Sequence, residues 1–244
     1  GLGVRRTTLH AALARAVAQA GVVVEERAAR DVHQDVGGVV VDGVRARHLV
    51  AADGLHSPLR RTLGLDAPTR QRARFGLRRH YRVAPWSSHV EVHWGREAEV
   101  YVTPVAADLV GVAVLSSRRA TYDDHLAAFP DLCARLVGAE AVDGVRGAGP
   151  LRQAARRRTA GRVLLVGDAA GYVDALTGEG VALALAQAEA AVAAVVADTP
   201  QAYEREWVRA TRRYRWLTAG LVAATGPAPL RRARCSSSRR ACAR

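Results

Sequence analysis

Two runs of the chain hold the residue types best placed for chemistry. In RVLLVGDAAGYVDALTGEGV, Arg162 to Val181, a four-residue apolar strand (Val163 to Val166) delivers Asp168 at its carboxyl end, where open α/β sheets bind ligands. Gly167 lets the backbone approach a ligand closely there, and an ionised Asp168 can accept hydrogen bonds from ligand hydroxyls. Further on, Gly178-Glu179-Gly180 opens a helix. Its first N–H groups, at Val181 and Ala182, have no intrahelical partner and carry the positive end of the helix dipole, which suits a negatively charged ligand edge. The second run is Asp53-Gly54-Leu55-His56-Ser57-Pro58-Leu59-Arg60. Asp53 and Gly54 read either as a strand-ending turn that positions its neighbours or as direct ligand contacts.

Other chemistries lack their constellations. His80, His89 and His93 sit on strand patterns, but no Cys or paired carboxylate accompanies them at ligand spacing, so no metal site is expected. Gly-Leu-His-Ser-Pro is no strand-turn-helix nucleophile elbow, and no catalytic acid or base is assigned. Phe75, Tyr81, Trp94 and Tyr101 could line a substrate pocket, although core packing is the stronger expectation for them.

The elements that must position these residues follow from periodicity. Thr7 to Ala20 places Leu9, Leu13 and Val17 four apart, an amphipathic helix capped by Thr and stopped by Gly21. Strands are expected at Val22 to Glu26, Gly38 to Val41 and Arg45 to Ala51, with Asp42-Gly43 as a turn. From Ala73 to Ser117 the style changes to alternating antiparallel strands, at His89 to Trp94, Glu99 to Val102 and Leu109 to Leu115. Thr121 to Val137 reads as one helix despite Pro130, and Gly138 to Arg158 as a connection. The buried strand Val163 to Val166 and the long helix Val181 to Ala197 restore the first style, so the antiparallel sheet interrupts a nucleotide-binding type of domain.

Composition narrows the class. The 244 residues are 49% hydrophobic, enough for a packed core, and no 18-residue uncharged apolar run or signal sequence is present, which points to a cytoplasmic protein without a membrane span. Ile, Lys, Met and Asn are absent, as in the product of a GC-rich gene, and all 36 basic residues are Arg. The net charge of +13 is therefore weak evidence for a nucleic-acid partner. Arg231 to Arg244 holds six Arg, no acid, and Cys235 and Cys242; it has no helical or strand period and reads as a solvated tail or out-of-frame sequence. With Cys133 the only other cysteine, a reducing compartment is expected.

At the two glycine-bearing runs the chain resembles the FAD-dependent monooxygenases and oxidoreductases of the aromatic-hydroxylase and geranylgeranyl-reductase superfamily. The resemblance runs from about Arg5 to about Tyr214: GDAAG at Gly167 to Gly171, the pattern D-G-x-x-S-x-x-R at Asp53 to Arg60, and Arg5-Arg6 ahead of Leu9-His10. It implies that Asp168 meets a ribityl hydroxyl, that Gly180, Val181 and Ala182 face the flavin ring, and that Arg6, Asp53 and Gly54 contact or position the cofactor. The strand, G-x-G-x-x-G turn and acidic residue that hold adenosine and pyrophosphate in such enzymes are not found, and the chain opens on Gly1 without any Met. An N-terminally truncated fragment, inactive and unable to hold FAD by itself, is the expectation. Gly171, where many hydroxylases carry His, and LTGEG at Leu176 to Gly180 lean toward the geranylgeranyl-reductase branch.

The expected fold is α/β with α+β mixing: a Rossmann-like FAD/NAD(P)-binding domain lacking its first βαβ unit, with an inserted antiparallel β-sheet substrate domain. Its expected divisions are residues 1–68 and 156–200 for the FAD domain, 69–155 for the sheet domain, 201–230 for a C-terminal helical segment and 231–244 for a disordered basic tail. The expected activity is that of an FAD-dependent, NAD(P)H-consuming monooxygenase acting on a small organic substrate. A reductase of C=C bonds is the alternative within the superfamily; an Arg-rich nucleic-acid-binding module or an inactive product is the alternative outside it. The sequence gives no oligomeric state.

Overall fold

The computed structural model describes residues 4–69 and 72–224, among which six α-helices form: α1 (Arg6–Gln19), α2 (Pro58–Thr62), α3 (Tyr122–Leu126), α4 (Pro130–Leu136), α5 (Gly180–Val196) and α6 (Tyr203–Ala224). No described helix is long and apolar enough to cross a membrane. The chain divides into two compact units, residues 1–28 with 74–149, and residues 29–73 with 150–244. The antiparallel unit thus interrupts the other along the sequence.

In the second of these units, Val163–Leu165 is wholly buried, as a continuous apolar run should be when both faces of its strand are covered. It pairs in parallel with Leu49–Ala51 and antiparallel with Thr159–Ala160. A meander of Val32–Asp35, Gly38–Val41 and Val44–Ala46 and a small sheet of Gly171–Tyr172, Gln153–Ala155 and Asp66–Ala67 complete the strands. The core joins Val39, Ala51, Leu59 and Val163 to Val166 with Ala191 of α5 and Tyr203 and Trp207 of α6. Along α6, Tyr203, Trp207, Thr211, Tyr214 and Thr218 are buried at steps of three and four, one face of a helix.

In the first unit an antiparallel sheet runs in the order Glu140–Ala141, Phe75–Arg82, Leu109–Ser116, Ala98–Ala106, Glu91–Trp94, with Arg146–Ala148 also paired to Phe75–Arg82. Alternate residues share a face. Tyr81, Val100, Val102, Val110, Val112 and Val114 meet Tyr122 and Leu126 of α3, Leu132 and Leu136 of α4, and Phe129 between them.

Several elements differ from the sequence expectations. Val22 to Glu26 forms no strand; its side chains are exposed with no neighbouring strand to pair with, and β-branched propensity alone does not make a ladder. Arg45 to Ala51 divides at Arg47-His48, its first half completing the meander and its second joining the parallel pair. Pro130 splits the expected helix, because it lacks the N–H of an interior position and sits at the first position of α4. The Gly138 to Arg158 connection contains three short strands. α1 starts at Arg6 without a side-chain cap, and none of its residues is buried, Leu13 and Val17 included. Trp94 lies on the edge strand, on the face away from α3 and α4, and is 53% exposed, whereas Tyr81 is in the core. The basic tail from 231 lies outside the described residues.

Candidate functional site

After Leu165 the chain makes a tight turn, Gly167–Ala170, that Gly167 enters at φ +61°. A Cβ at this glycine would lie 3.6 Å from the Ala184 side chain, so α5 packs directly on the turn. Asp168 on the turn and Gly180, Leu183 and Gln187 on α5 line one recess, with Tyr214 and Arg215 of α6. The first turn of α5 leaves the N–H groups of Val181 and Ala182 free of intrahelical bonds; Leu183 N is the first to donate, to Glu179 O at 3.0 Å. Gln187 is 4% exposed, and its Oε1 accepts no hydrogen bond from a described residue. The recess encloses only about 20 Å³, the space of a water, so this unit contributes a polar rim rather than a closed pocket.

Arg60 locks the rim. Its side chain is 1% exposed, and it donates to Asp66 Oδ1 (2.5 Å), to Ala169 O (3.0 Å), to Leu55 O (3.2 Å) and to Gln153 Oε1 (3.0 Å). The turn carrying Asp168 is thereby tied to the run that starts at Asp53. Both carboxylate oxygens of Asp53 are engaged at the start of α2, Oδ1 accepting from Ser57 Oγ at 2.6 Å and Oδ2 from Leu59 N at 2.9 Å. Ser57 Oγ in turn accepts from Arg60 N. Gly54 takes φ +80°, a conformation that favours glycine.

Beside the recess the charge is positive. Arg158 and Arg215 hold their guanidinium carbons 4.3 and 4.9 Å from the centroid of the buried Trp207 ring. Arg158 pairs with Glu204 at 2.9 Å, whereas Arg152 Nη1 is buried without a hydrogen-bond partner among the described residues. Burial first, and then the charges of Arg158 and Arg152, push the Arg215 pKa below its usual value.

Of the residues singled out in the sequence, Asp168 and Gly180 line the same recess, and Val181 and Ala182 continue α5 from it. Asp53 and Gly54 connect to that turn through Arg60. Arg6 is exposed at the start of α1, in the antiparallel unit. Arg60 was visible as the last position of D-G-x-x-S-x-x-R, but the Ala169 carbonyl it reaches, 109 residues away, was not. Gln187 carried no signal, being one polar residue in an alanine-rich helix. Of the three histidines on strand patterns, His80 contacts Asp143 and Arg78. No group of His, Cys, Asp and Glu that could hold a metal occurs among the described residues.

The model of a family described as "FAD binding domain" matches residues 8–199. The chain is 28% identical over 155 residues to a digeranylgeranylglycerophospholipid reductase of Methanosphaera stadtmanae, covering 58% of this chain and 38% of that protein. Among solved structures it is similar to the flavin-dependent halogenase CmlS, at TM-score 0.79 and 24% identity over 91% of this chain and 46% of that one. It is also similar to the anhydrotetracycline hydroxylase OxyS of Streptomyces rimosus, at TM-score 0.61 and 24% identity over 86% and 51%. The two structural likenesses bear on the fold, which is mixed α/β. The chain spans 38% of the length of this curated relative and about half of each structure.

Proposed function

Because the chain belongs to the FAD binding domain family, matched over residues 8–199, we propose that it builds the ribityl- and ring-facing rim of a flavin site in an FAD-dependent oxidoreductase. The observation that carries this reading is the convergence of the Asp168 turn and the start of α5 on one recess, which Gln187 also lines, its buried oxygen without a hydrogen-bond partner among the described residues. That donor set fits the group: a carboxylate to accept from a polyol, free N–H groups for an electron-rich ring edge, and a side-chain amide whose NH₂ and oxygen can serve either. Asp168 would hold the ribityl chain, and the backbone of Gly180, Val181 and Ala182 the ring. Arg60, Asp53 and Gly54 would position the turn rather than touch the ligand, since the Asp53 oxygens are already engaged. The absence of a side chain at Gly180 keeps ligand access open, the nearest atom to a Cβ there being on the Tyr172 ring at 3.7 Å.

A bound FAD supplies two-electron transfer from NAD(P)H to an acceptor, and these residues supply orientation and a field. The reaction we favour is monooxygenation of a small organic substrate. Reduction of a C=C bond is the second reading, favoured by the relative named as a lipid reductase and by the LTGEG run at Leu176 to Gly180. In the FAD-loaded protein that carries this chain, Asp168→Ala should weaken flavin retention by about 0.5–1.5 kcal/mol, up to about tenfold in Kd. Flavin absorbance after gel filtration at low FAD measures it, and equal retention in the two proteins would remove Asp168 from the site. Product analysis under labelled dioxygen then separates the chemistries, since oxygen incorporation supports monooxygenation and saturation without label supports reduction.

A further inference from the structure

On the helix-covered face of the antiparallel sheet, Phe75 lies opposite Ser116 and Leu77 opposite Val114, so all four project to one side. At this end of the sheet they line, with Arg118, Arg119, Ala120 and His125, a half-open cavity of about 200 Å³. We propose that this cavity binds a small carboxylic acid, one with a single aromatic ring or a short alkyl chain. The site lies wholly within the antiparallel unit and needs no flavin, so it goes beyond the reading above.

Volume sets the apolar part of the ligand. An apolar cavity of about 150 Å³ accommodates benzene, so the space here takes one ring or a comparable alkyl group. The walls that would meet it are Phe75, Leu77 and Val114. His125 and Arg119 set the polar part. His125, on α3, is 4% exposed and lines the cavity, yet its imidazole makes no hydrogen bond to a described residue. A ring nitrogen that is neither hydrogen-bonded nor sealed keeps accessible surface, and a ligand acceptor in the cavity would satisfy it. Arg119 holds its guanidinium carbon 4.9 Å from the centroid of the Phe75 ring and forms no ion pair with a described carboxylate. Its neighbours are matched: Arg118 pairs with Glu97, and Arg79 with Asp123. Ser116 Oγ is already committed, donating to Glu97 O and accepting from Arg118 N.

The cavity therefore offers an apolar interior, a buried imidazole and an unmatched guanidinium, and no acidic residue lines it. A planar guanidinium fits a carboxylate with two parallel hydrogen bonds, and one such group matches one negative charge. A phosphate dianion would carry a second negative charge that one guanidinium does not balance, and a neutral ring would leave the exposed Arg119 to water.

Isothermal titration of the 244-residue chain with benzoate, and with benzamide as its uncharged counterpart, tests the proposal. Benzoate should bind once per chain and at least tenfold more tightly than benzamide. Arg119→Gln should cut benzoate affinity tenfold or more while leaving benzamide unchanged, and Ala120→Leu, which reduces the volume, should weaken both. Circular dichroism of the two variants should match that of the parent. In histidine-labelled chain, benzoate should shift the resonance of His125, assigned by its loss in His125→Gln. No saturable benzoate binding up to about 10 mM, equal affinity for the two probes, or binding untouched by both cavity variants would overturn the proposal. Those outcomes leave the flavin reading standing, since no measurement involves FAD.

Discussion

Arg60 is a cation held at 1% exposure by one half-exposed carboxylate, a side-chain amide and backbone carbonyls, and its bonds to Ala169 O and Gln153 Oε1 join segments that the sequence separates. Arg60→Ala would leave Gln153 and two carbonyls without their donor in a packed core. A loss of about 3–5 kcal/mol is expected, and Arg60→Lys should recover only part of it, because a single ammonium cannot reproduce the guanidinium fork. The urea midpoint followed by Trp207 fluorescence measures both. A second residue-scale expectation concerns Asp143. Burial raises its pKa, but the backbone N–H and ring of His80, and then Arg78, outweigh this and hold the carboxyl at about 2, below its ordinary 3.8. A depressed carboxyl contributes stability that is complete above the unfolded pKa and is lost as pH falls through the folded one. The antiparallel unit should therefore weaken between about pH 4 and pH 2, and Asp143→Asn should flatten that slope in acid titrations of its melting temperature. At this scale the sequence could announce only residues whose neighbours along the chain define them. Asp168 is readable because an apolar strand and a glycine precede it. Arg60 acts through partners fixed by tertiary packing, and Gln187 and His125 owe their burial to the same packing; no spacing encodes either.

The helices and long strands were readable where the period repeats often enough. Leu109–Ser116 alternates valine with small residues from Val110 to Val114, and α5 runs for seventeen residues. Two- and three-residue strands such as Glu140–Ala141 and Gln153–Ala155 contain no full period, so they merged into an expected connection. Val22 to Glu26 shows the converse, a β-branched run without a partner. The split at Pro130 is local chemistry overruling a continuous apolar pattern, and it makes α3 a helix of five residues that depends on its ends. Thr121 accepts from Asp124 N at 3.1 Å, and Asp124 Oδ2 accepts from Thr121 N at 3.1 Å, a reciprocal cap. Thr121→Ala should cost about 1 kcal/mol of stability. It should also displace His125, on the same short helix, more than it disturbs the sheet. Thermal unfolding gives the first quantity, and histidine chemical shifts compared with strand amide shifts give the second. An unchanged His125 signal would show that Tyr122 and Leu126, buried against the sheet, hold α3 without its cap.

At the scale of the whole molecule, charge is what composition overstated. The 36 Arg face 23 acids, but within the described residues many are matched, as in Arg45 with Asp35, Arg82 with Asp108 and Glu140, and Arg162 with Asp198. Exposed pairs of this kind add little stability. They do, however, reduce the positive field that a polyanion would meet. Six of the thirteen excess charges lie in residues 231–244, where the sequence places no acid. Affinity of the chain for single-stranded DNA should therefore reside mainly in those residues, as counterion release without sequence preference. The logarithm of the binding constant should fall linearly with the logarithm of salt concentration. A chain ending at residue 230 should show a slope shallower by up to about four, which is the share of six phosphate contacts. Fluorescence anisotropy of a labelled oligonucleotide between low and physiological salt measures both chains. If the shortened chain keeps the full slope, the arginines of residues 1–230 neutralise the phosphates themselves, and Arg152 and Arg215, the cations beside the Asp168 recess without an ion pair among the described residues, become the first to replace.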